Sequence, residues 1–329
     1  MTTQAAPVEV AVGVVLRSDG SVLLGQRPAG KPYAGWWEFP GGKLEAGESV
    51  GQALARELHE ELGLQVASSS PWVVREFIYP HAHVRLHFHR VFEFSGDIHG
   101  RENQAFAWLR PDAIDVAPLL PASVPVIGWL RTPSVAVRIR HWPGIDGDDG
   151  ARAIDNLLAC LERALSGVPG RMSGDGGGRP LVLLEPSDLA AERFEAVFYR
   201  VRELCRHAGA RLVVDADRPA SYAVAVGALL LQGAALRDCR ERPAASFVAA
   251  ICGNESDLRK AALIGADLAL LDPDGQQAPT DAGRSLPEFA IPTLLVTECR
   301  SELGSCIAQA WRAGAHGVAL DLRFWQHAC

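Results

Sequence analysis

Residues 42–64 read GKLEAGESVGQALARELHEELGL. The stretch is a glycine turn followed by a short, charge-dense helix. Ser49 is placed to cap the helix N-terminus, and Gly63 to close its C-terminus. Leu54, Leu58 and Leu62 recur every fourth residue and form one apolar ridge for burial. Glu57, Glu60 and Glu61 share a neighbouring face. Three carboxylates this close repel one another unless positive charge lies between them. Arg56 can pair with Glu60 one turn on, but one arginine does not neutralise three acids. A hard divalent cation does, and Mg²⁺ prefers carboxylates together with substrate phosphates.

The spacing separates this helix from an ordinary solvated one. From Gly42 it reads G-x5-E-x7-R-E-U-x-E-E-x-G-U, with U aliphatic. Gly42, Glu48, Arg56, Glu57, Leu58, Glu60, Glu61, Gly63 and Leu64 fill every fixed position. The stretch resembles the Nudix box, and the chain is most similar to the MutT-like branch of the Nudix hydrolases, the 8-oxo-dGTP diphosphatases.

Other positions carry the same resemblance. YAGWWEFPGGK, residues 33–43, looks like the family's G-x-W-E-F-P-G-G-K element. It implies that the Gly41 carbonyl helps to hold the metal, and that Glu38, Phe39 and Pro40 shape the nucleotide pocket through backbone contacts. It also places Arg27 on the substrate and makes Glu102 a loop carboxylate that completes the metal site. The implied catalytic set is Glu57, Glu60, Glu102 and Arg56, and the implied metal ligands are Gly41, Glu57, Glu60, Glu61 and Glu102. Mg²⁺ is the implied metal, with Mn²⁺ as a substitute. Phosphoanhydride hydrolysis needs these types: metal ions neutralise charge on the phosphate oxygens, and a carboxylate orients or deprotonates the attacking water. Whether one of these carboxylates or a metal-bound hydroxide is the base stays open. Lys43 is a candidate phosphate contact.

One departure bears on the base. MutT-like chains carry P-x-N late in the domain, and its asparagine amide reads the oxidised purine. Here the stretch is Pro121-Ala122-Ser123. A serine hydroxyl offers less than an amide donor and a carbonyl acceptor together. Ser123 thus weakens the 8-oxoguanine expectation without touching hydrolysis. The histidines at 81, 83, 87 and 89 alternate, but no further ligand follows at metal spacing. They are expected at the pocket rim or on the solvent face.

The chain has 329 residues, which predicts two domains, and 48% hydrophobic residues, enough for buried cores. A net charge of −7 argues against a non-specific nucleic-acid binder. The N-terminal stretch lacks a basic n-region, and no apolar run reaches membrane-span length. Seven cysteines, none in a CxxC pair, predict reduced thiols and a cytoplasmic protein.

The pattern predicts strands at 8–16 and 21–27 joined as a hairpin. Further strands are expected at 72–79, 84–94 and 105–109, before a closing helix that ends at 125–130. The fold class expected is α/β: a Nudix α/β/α sandwich over 1–131, then a (β/α)8 TIM-type barrel over 132–329. The barrel reading rests on eight short apolar strands alternating with helices. That half also resembles thiamine phosphate synthase through CRHAGARLVVDAD (205–217), VAAICGNESDLRKAALIGADLALLDP (248–273) and AWRAGAHGVALDLRFW (310–325). Most of the synthase's polar residues are missing: LVLLEPSDL, Ile251-Cys252-Gly253 and Thr297-Glu298 stand at the positions concerned, and only Asp215 survives. The barrel is therefore read as catalytically degenerate.

The leading expectation is a Mg²⁺-dependent nucleoside triphosphate pyrophosphohydrolase acting on 8-oxo-dGTP. Its partner would be a small nucleotide, not a nucleic acid or a membrane. The alternatives are a hydrolase of thiamine-related diphosphates and a thiamine-phosphate sensor built on the barrel.

Overall fold

The computed structural model describes residues 6–100, 104–145, 147–168, 180–185, 189–272, 286–298 and 302–327. Its first half contains β1 (Val8–Val15), β2 (Val22–Gln26), β3 (Trp37–Glu38), β4 (Gly41–Lys43), α1 (Val50–Leu62), β5 (Gln65–Tyr79), β6 (Ala82–Ser95), β7 (Phe106–Leu109) and α2 (Val124–Trp129). Two sheets form, ordered β4-β1-β6-β5 and β3-β2-β7. β1 runs parallel to β6, and the other pairings are antiparallel.

Strand alternation explains the layering. Ala11 and Val15 point to α1, where they meet the ridge of Leu54, Leu58 and Leu62. Val12 and Val14 point the other way, to Val126 and Ile127 of α2. Between them, Gly13 lets the helix approach, because a Cβ there would press on Leu54 and Leu58. The sheet is thus covered on both faces, as the α/β/α expectation requires.

The expected hairpin of β1 and β2 does not form. The chain does reverse at Asp19-Gly20, where the Asp19 carboxylate accepts from the Ser21 amide at 2.9 Å. Beyond an isolated bridge between Leu16 and Val22, however, the two strands enter different sheets. β1 is flanked on both edges by β4 and β6, which leaves no edge for β2.

The second half contains β8 (Val135–Ile139), α3 (Gly150–Gly167), β9 (Leu181–Leu184), α4 (Ala191–Ala208), β10 (Arg211–Asp215), α5 (Ala220–Val226), β11 (Ala228–Leu231), α6 (Gly233–Asp238), β12 (Phe247–Cys252), α7 (Glu255–Leu263), β13 (Leu268–Leu271), β14 (Thr293–Val296), α8 (Leu303–Arg312) and β15 (Gly317–Asp321). The eight strands are parallel and close into a barrel, β15 pairing with β8. Ala136, Leu181, Leu183, Val213, Leu230 and Leu270 fill its centre.

Two residues further along these strands, the inward layer turns polar. Arg138 donates to both Glu185 oxygens, at 2.7 and 2.9 Å, and to Asp272 at 2.7 Å. Asp215 accepts from the Asp217 amide at 2.7 Å and from the Gln232 side chain. Burial pushes the Asp215 carboxyl up to about 6. The sequence showed only Asp215 here, because Arg138 and Asp272 stand 134 positions apart and meet only when the barrel closes.

The barrel docks its opposite, strand N-terminal end on the first half. Arg90 of β6, 2% exposed, donates to the Ala315 and His316 carbonyls at 2.5 and 3.2 Å. The Trp72 indole N–H of β5 donates to His316 Nδ1 at 3.2 Å, so His316 Nε2 carries the proton that goes to the Thr132 carbonyl at 2.9 Å. Phe92 stacks on Trp311 with centroids 4.4 Å apart. The thiols also depart from expectation. Cys205, Cys239 and Cys252 are free thiols, but Cys306 is disulfide-bonded. Pairing depends on approach in space, which spacing alone does not give.

Burial, reinforced by the Arg90 charge, pulls His316 down to about 3. A histidine held neutral in the fold binds fewer protons than the unfolded chain between that value and its ordinary pKa. Stability is therefore lost as pH falls from about 6.5 toward 3. His316→Gln keeps one acceptor and one donor, so the fall in unfolding midpoint between pH 7 and pH 4 should be shallower in this variant than in the parent.

Candidate active site

Helix α1 begins as its sequence directs. The Ser49 side chain accepts from the Gln52 amide, and the Gln52 side chain answers the Ser49 amide. Gly63 ends the helix at φ 73°. Within this frame Arg56 is the hub. It donates to the two Glu48 oxygens at 2.8 and 2.9 Å, to Glu57 at 2.9 Å, to Glu60 at 3.4 Å and to the Lys43 carbonyl at 3.1 Å. These bonds tie the 43–48 turn to the helix. The guanidinium holds the Glu48 carboxyl down at about 2, and Glu48 in turn pushes the Arg56 pKa further up.

The glycine pair before the helix is a steric requirement. A Cβ on Gly42 would fall on the Glu57 carboxyl group, and one on Gly41, at φ 149°, would strike the Ala11 carbonyl. Glu57 therefore lies flat against bare backbone, partly buried, with Glu61 beside it and Glu60 mostly exposed. Glu102 falls outside the described residues. Among the described residues, no three His, Cys, Asp or Glu groups stand close enough to hold a metal. The donors that do face the cavity, Gly41, Glu57 and Glu61, offer oxygen, and the Gly42 cradle leaves the Glu57 carboxylate at the surface. That donor chemistry suits a hard cation such as Mg²⁺.

A cavity of about 610 Å³ opens beside the helix. Of the residues expected on substrate, Arg27, Glu38, Phe39, Pro40, Gly41, Lys43 and Ser123 all line it. Glu57 and Glu61 line it too, whereas Glu60 and Arg56 do not. Arg27 donates to the Pro32 carbonyl at 2.7 Å and pairs with Glu38 at 2.5 Å. The Glu38 side chain, not only its backbone, thus faces the cavity, and burial raises its carboxyl above the usual range. His81 lines the space, one of the two places expected for it, and Lys31, Tyr33, Tyr79 and Gln104 also line it and were not foreseen. Lys31 comes within 3.9 Å of Glu61, and Gln104 donates to the Glu61 carbonyl. Of the four alternating histidines, only His81 reaches the cavity. His83 meets Glu76, His87 meets Glu9 at 2.5 Å, and His89 meets Ser69.

Residues 7–130 match the model of the NUDIX domain. The CTP pyrophosphohydrolase of Escherichia coli K12 is 40% identical over 122 residues, which are 35% of this chain and 86% of that protein. The 8-oxo-dGTP diphosphatase of Haemophilus influenzae is 37% identical over 120 residues, 36% of this chain and 88% of that protein. The 8-oxo-dGTP diphosphatase of Escherichia coli K12 is 33% identical over 124 residues, 38% of this chain and 96% of that protein.

The cradle gives a direct expectation. Gly42→Ala must displace the Glu57 carboxylate while leaving the helix caps intact. Its affinity for Mn²⁺, measured by calorimetry, should fall by about ten- to a hundredfold, with little change in melting temperature.

Proposed function

The chain belongs to the NUDIX family through residues 7–130, and from that premise we propose that this phosphoanhydride hydrolase cleaves nucleoside triphosphates to a monophosphate and pyrophosphate, with 8-oxo-dGTP as leading substrate. The observation that carries the reading is the Arg56–Glu57–Gly42 cradle opening on the cavity. Two relatives named 8-oxo-dGTP diphosphatases support the substrate. The task would be to clear oxidised guanine from the nucleotide pool before replication uses it.

Gly41, Glu57, Glu60, Glu61 and Glu102 are the residues that would hold Mg²⁺ or Mn²⁺. When bound, the cation neutralises charge that builds on the phosphate oxygens. The rest falls to the chain. Arg56 fixes the Glu57 carboxylate and compensates the neighbouring acids. Lys43 and Lys31 line the cavity and would offer ammonium groups to the phosphates. One helix carboxylate takes the proton from the attacking water. Water adds to one phosphorus, the anhydride bond breaks, and pyrophosphate leaves with the bond's electrons. Arg27, Glu38 and Ser123 line the same cavity and would contact the base.

A second reading, cytidine triphosphate as substrate, is favoured by the 40% identical relative of that name and by Ser123, which lacks an amide. For residues 132–329 we propose a supporting domain that braces β5 and β6 through Arg90, Trp72 and His316.

The test is release of pyrophosphate from 8-oxo-dGTP, dGTP and CTP, and of phosphate from thiamine diphosphate, by the full-length protein with Mg²⁺. The leading reading expects kcat/KM for 8-oxo-dGTP at least about tenfold above dGTP, and a loss of about a hundredfold in Glu57→Gln. A dominant rate on CTP replaces it with the second reading. Release from none of the nucleotides contradicts both.

A further inference from the structure

Three aromatic rings from two separate segments meet at the cavity rim. Tyr33 comes from the loop between β2 and β3, and Tyr79 and His81 from the tip of the β5–β6 hairpin. Their centroids form a near-equilateral triangle, 5.5 Å from Tyr33 to Tyr79, 5.6 Å from Tyr33 to His81 and 5.5 Å from Tyr79 to His81. All three line the cavity. A second tier backs them: Trp36 lies 5.1 Å from Tyr33, and Phe77 lies 4.5 Å from Tyr79. The Tyr79 hydroxyl lies near the Ala122 backbone, next to Ser123.

Two features separate this cluster from ordinary surface packing. Tyr33 holds φ at 61°, a left-handed conformation that costs a residue with a side chain about 1 kcal/mol or more. The chain keeps that conformation where it turns the ring onto the cavity. The rings also remain partly open to solvent, Tyr33 and Tyr79 half-buried and His81 exposed, instead of being sealed in a core.

We propose that Tyr33, Tyr79 and His81 form the platform on which the substrate's nucleobase stacks, supplying affinity common to every base. The proposal rests on the nucleotide reading above. The Tyr33 ring is inclined at 61° to Tyr79 and 51° to His81, so the three do not share one plane, and a base stacks on one ring with the other two flanking it. Every base has a π-face, so stacking does not discriminate, and an aromatic contact of this kind contributes about 1–3 kcal/mol per base. Discrimination remains with groups that reach a base edge. Of these, Glu38 already accepts from Arg27, and Ser123 offers one hydroxyl. The platform therefore sets how tightly nucleotides bind, and the edge groups set which is preferred.

The experiment is calorimetric binding of GMP, CMP and ribose 5-phosphate to the full-length protein and to Tyr33→Ala, Tyr33→Phe and His81→Ala, with melting temperature as the folding control. Tyr33→Ala should weaken GMP and CMP by the same factor, about tenfold, and so cut the preference of either nucleotide over ribose 5-phosphate by that factor. Tyr33→Phe should restore most of it, and His81→Ala should act in the same direction. The platform is overturned if Tyr33→Ala binds both nucleotides as the parent does, loses one far more than the other, or loses ribose 5-phosphate equally. If Tyr33→Ala melts early, His81→Ala and Tyr33→Phe decide by the same criteria. Monophosphate binding does not depend on turnover. Tyr33-dependent binding without hydrolysis would sink the hydrolase reading and leave the platform standing, while hydrolysis with Tyr33-independent binding would do the reverse.

Discussion

The Arg56 guanidinium stands among Glu48, Glu57 and Glu60, and the first half of the chain is arranged to keep it there. Like charges about 4 Å apart repel by ~1 kcal/mol in water and by ~4 kcal/mol near a protein surface. A helix carrying Glu57, Glu60 and Glu61 within two turns is therefore stable only with compensating charge. Arg56 supplies part of it, and its bidentate grip on Glu48 also fastens the turn that precedes the helix. The remaining acid faces the cavity, where a cation and a phosphate chain fit the same electrostatic need. The charge that makes the helix costly by itself is the charge that the proposed cation would offset.

Placing that helix requires close packing on both sides. Gly13 admits Leu54 and Leu58 to the sheet, and Gly42 admits the Glu57 carboxylate to the turn. The sheet is in turn held from outside. β5 and β6 form a long hairpin whose tip carries Tyr79 and His81 at the cavity rim. Further along the same hairpin, Trp72, Arg90 and Phe92 pack against the barrel. The barrel meets this hairpin at the N-terminal end of its strands, and the charged layer of Arg138, Glu185 and Asp272 lies at the other end. Among the described residues, no helix is long and apolar enough to cross a membrane.

Much of this was legible in the sequence, and what was not has a common cause. Helix α1, both its caps and its buried ridge follow from local spacing, so the stretch from Ser49 to Gly63 formed as read. The eight barrel strands were equally plain, because each is a short apolar run set off by turns. Features that depend on distant residues were hidden. The separation of β1 and β2 into different sheets is decided by β4 and β6, which follow later in the chain. The docking of Arg90 on Ala315 and His316 links positions more than two hundred residues apart. At the candidate site, the motif found the carboxylates and the glycines. It did not find Lys31 or Tyr33, which carry no fixed spacing and reach the cavity only through loop geometry. Glu38 was expected to act by its backbone, yet its side chain pairs with Arg27 at the cavity wall.

The central claim is that Glu57, held by Arg56 against Gly42, binds the cation on which phosphoanhydride cleavage depends. Mn²⁺ binding, followed by electron paramagnetic resonance in the parent and in Glu57→Gln, tests it most directly. The account predicts saturable binding that Glu57→Gln abolishes or weakens by at least about tenfold, in step with the loss of hydrolysis. Unchanged Mn²⁺ affinity in Glu57→Gln would contradict it and would move the metal away from this helix.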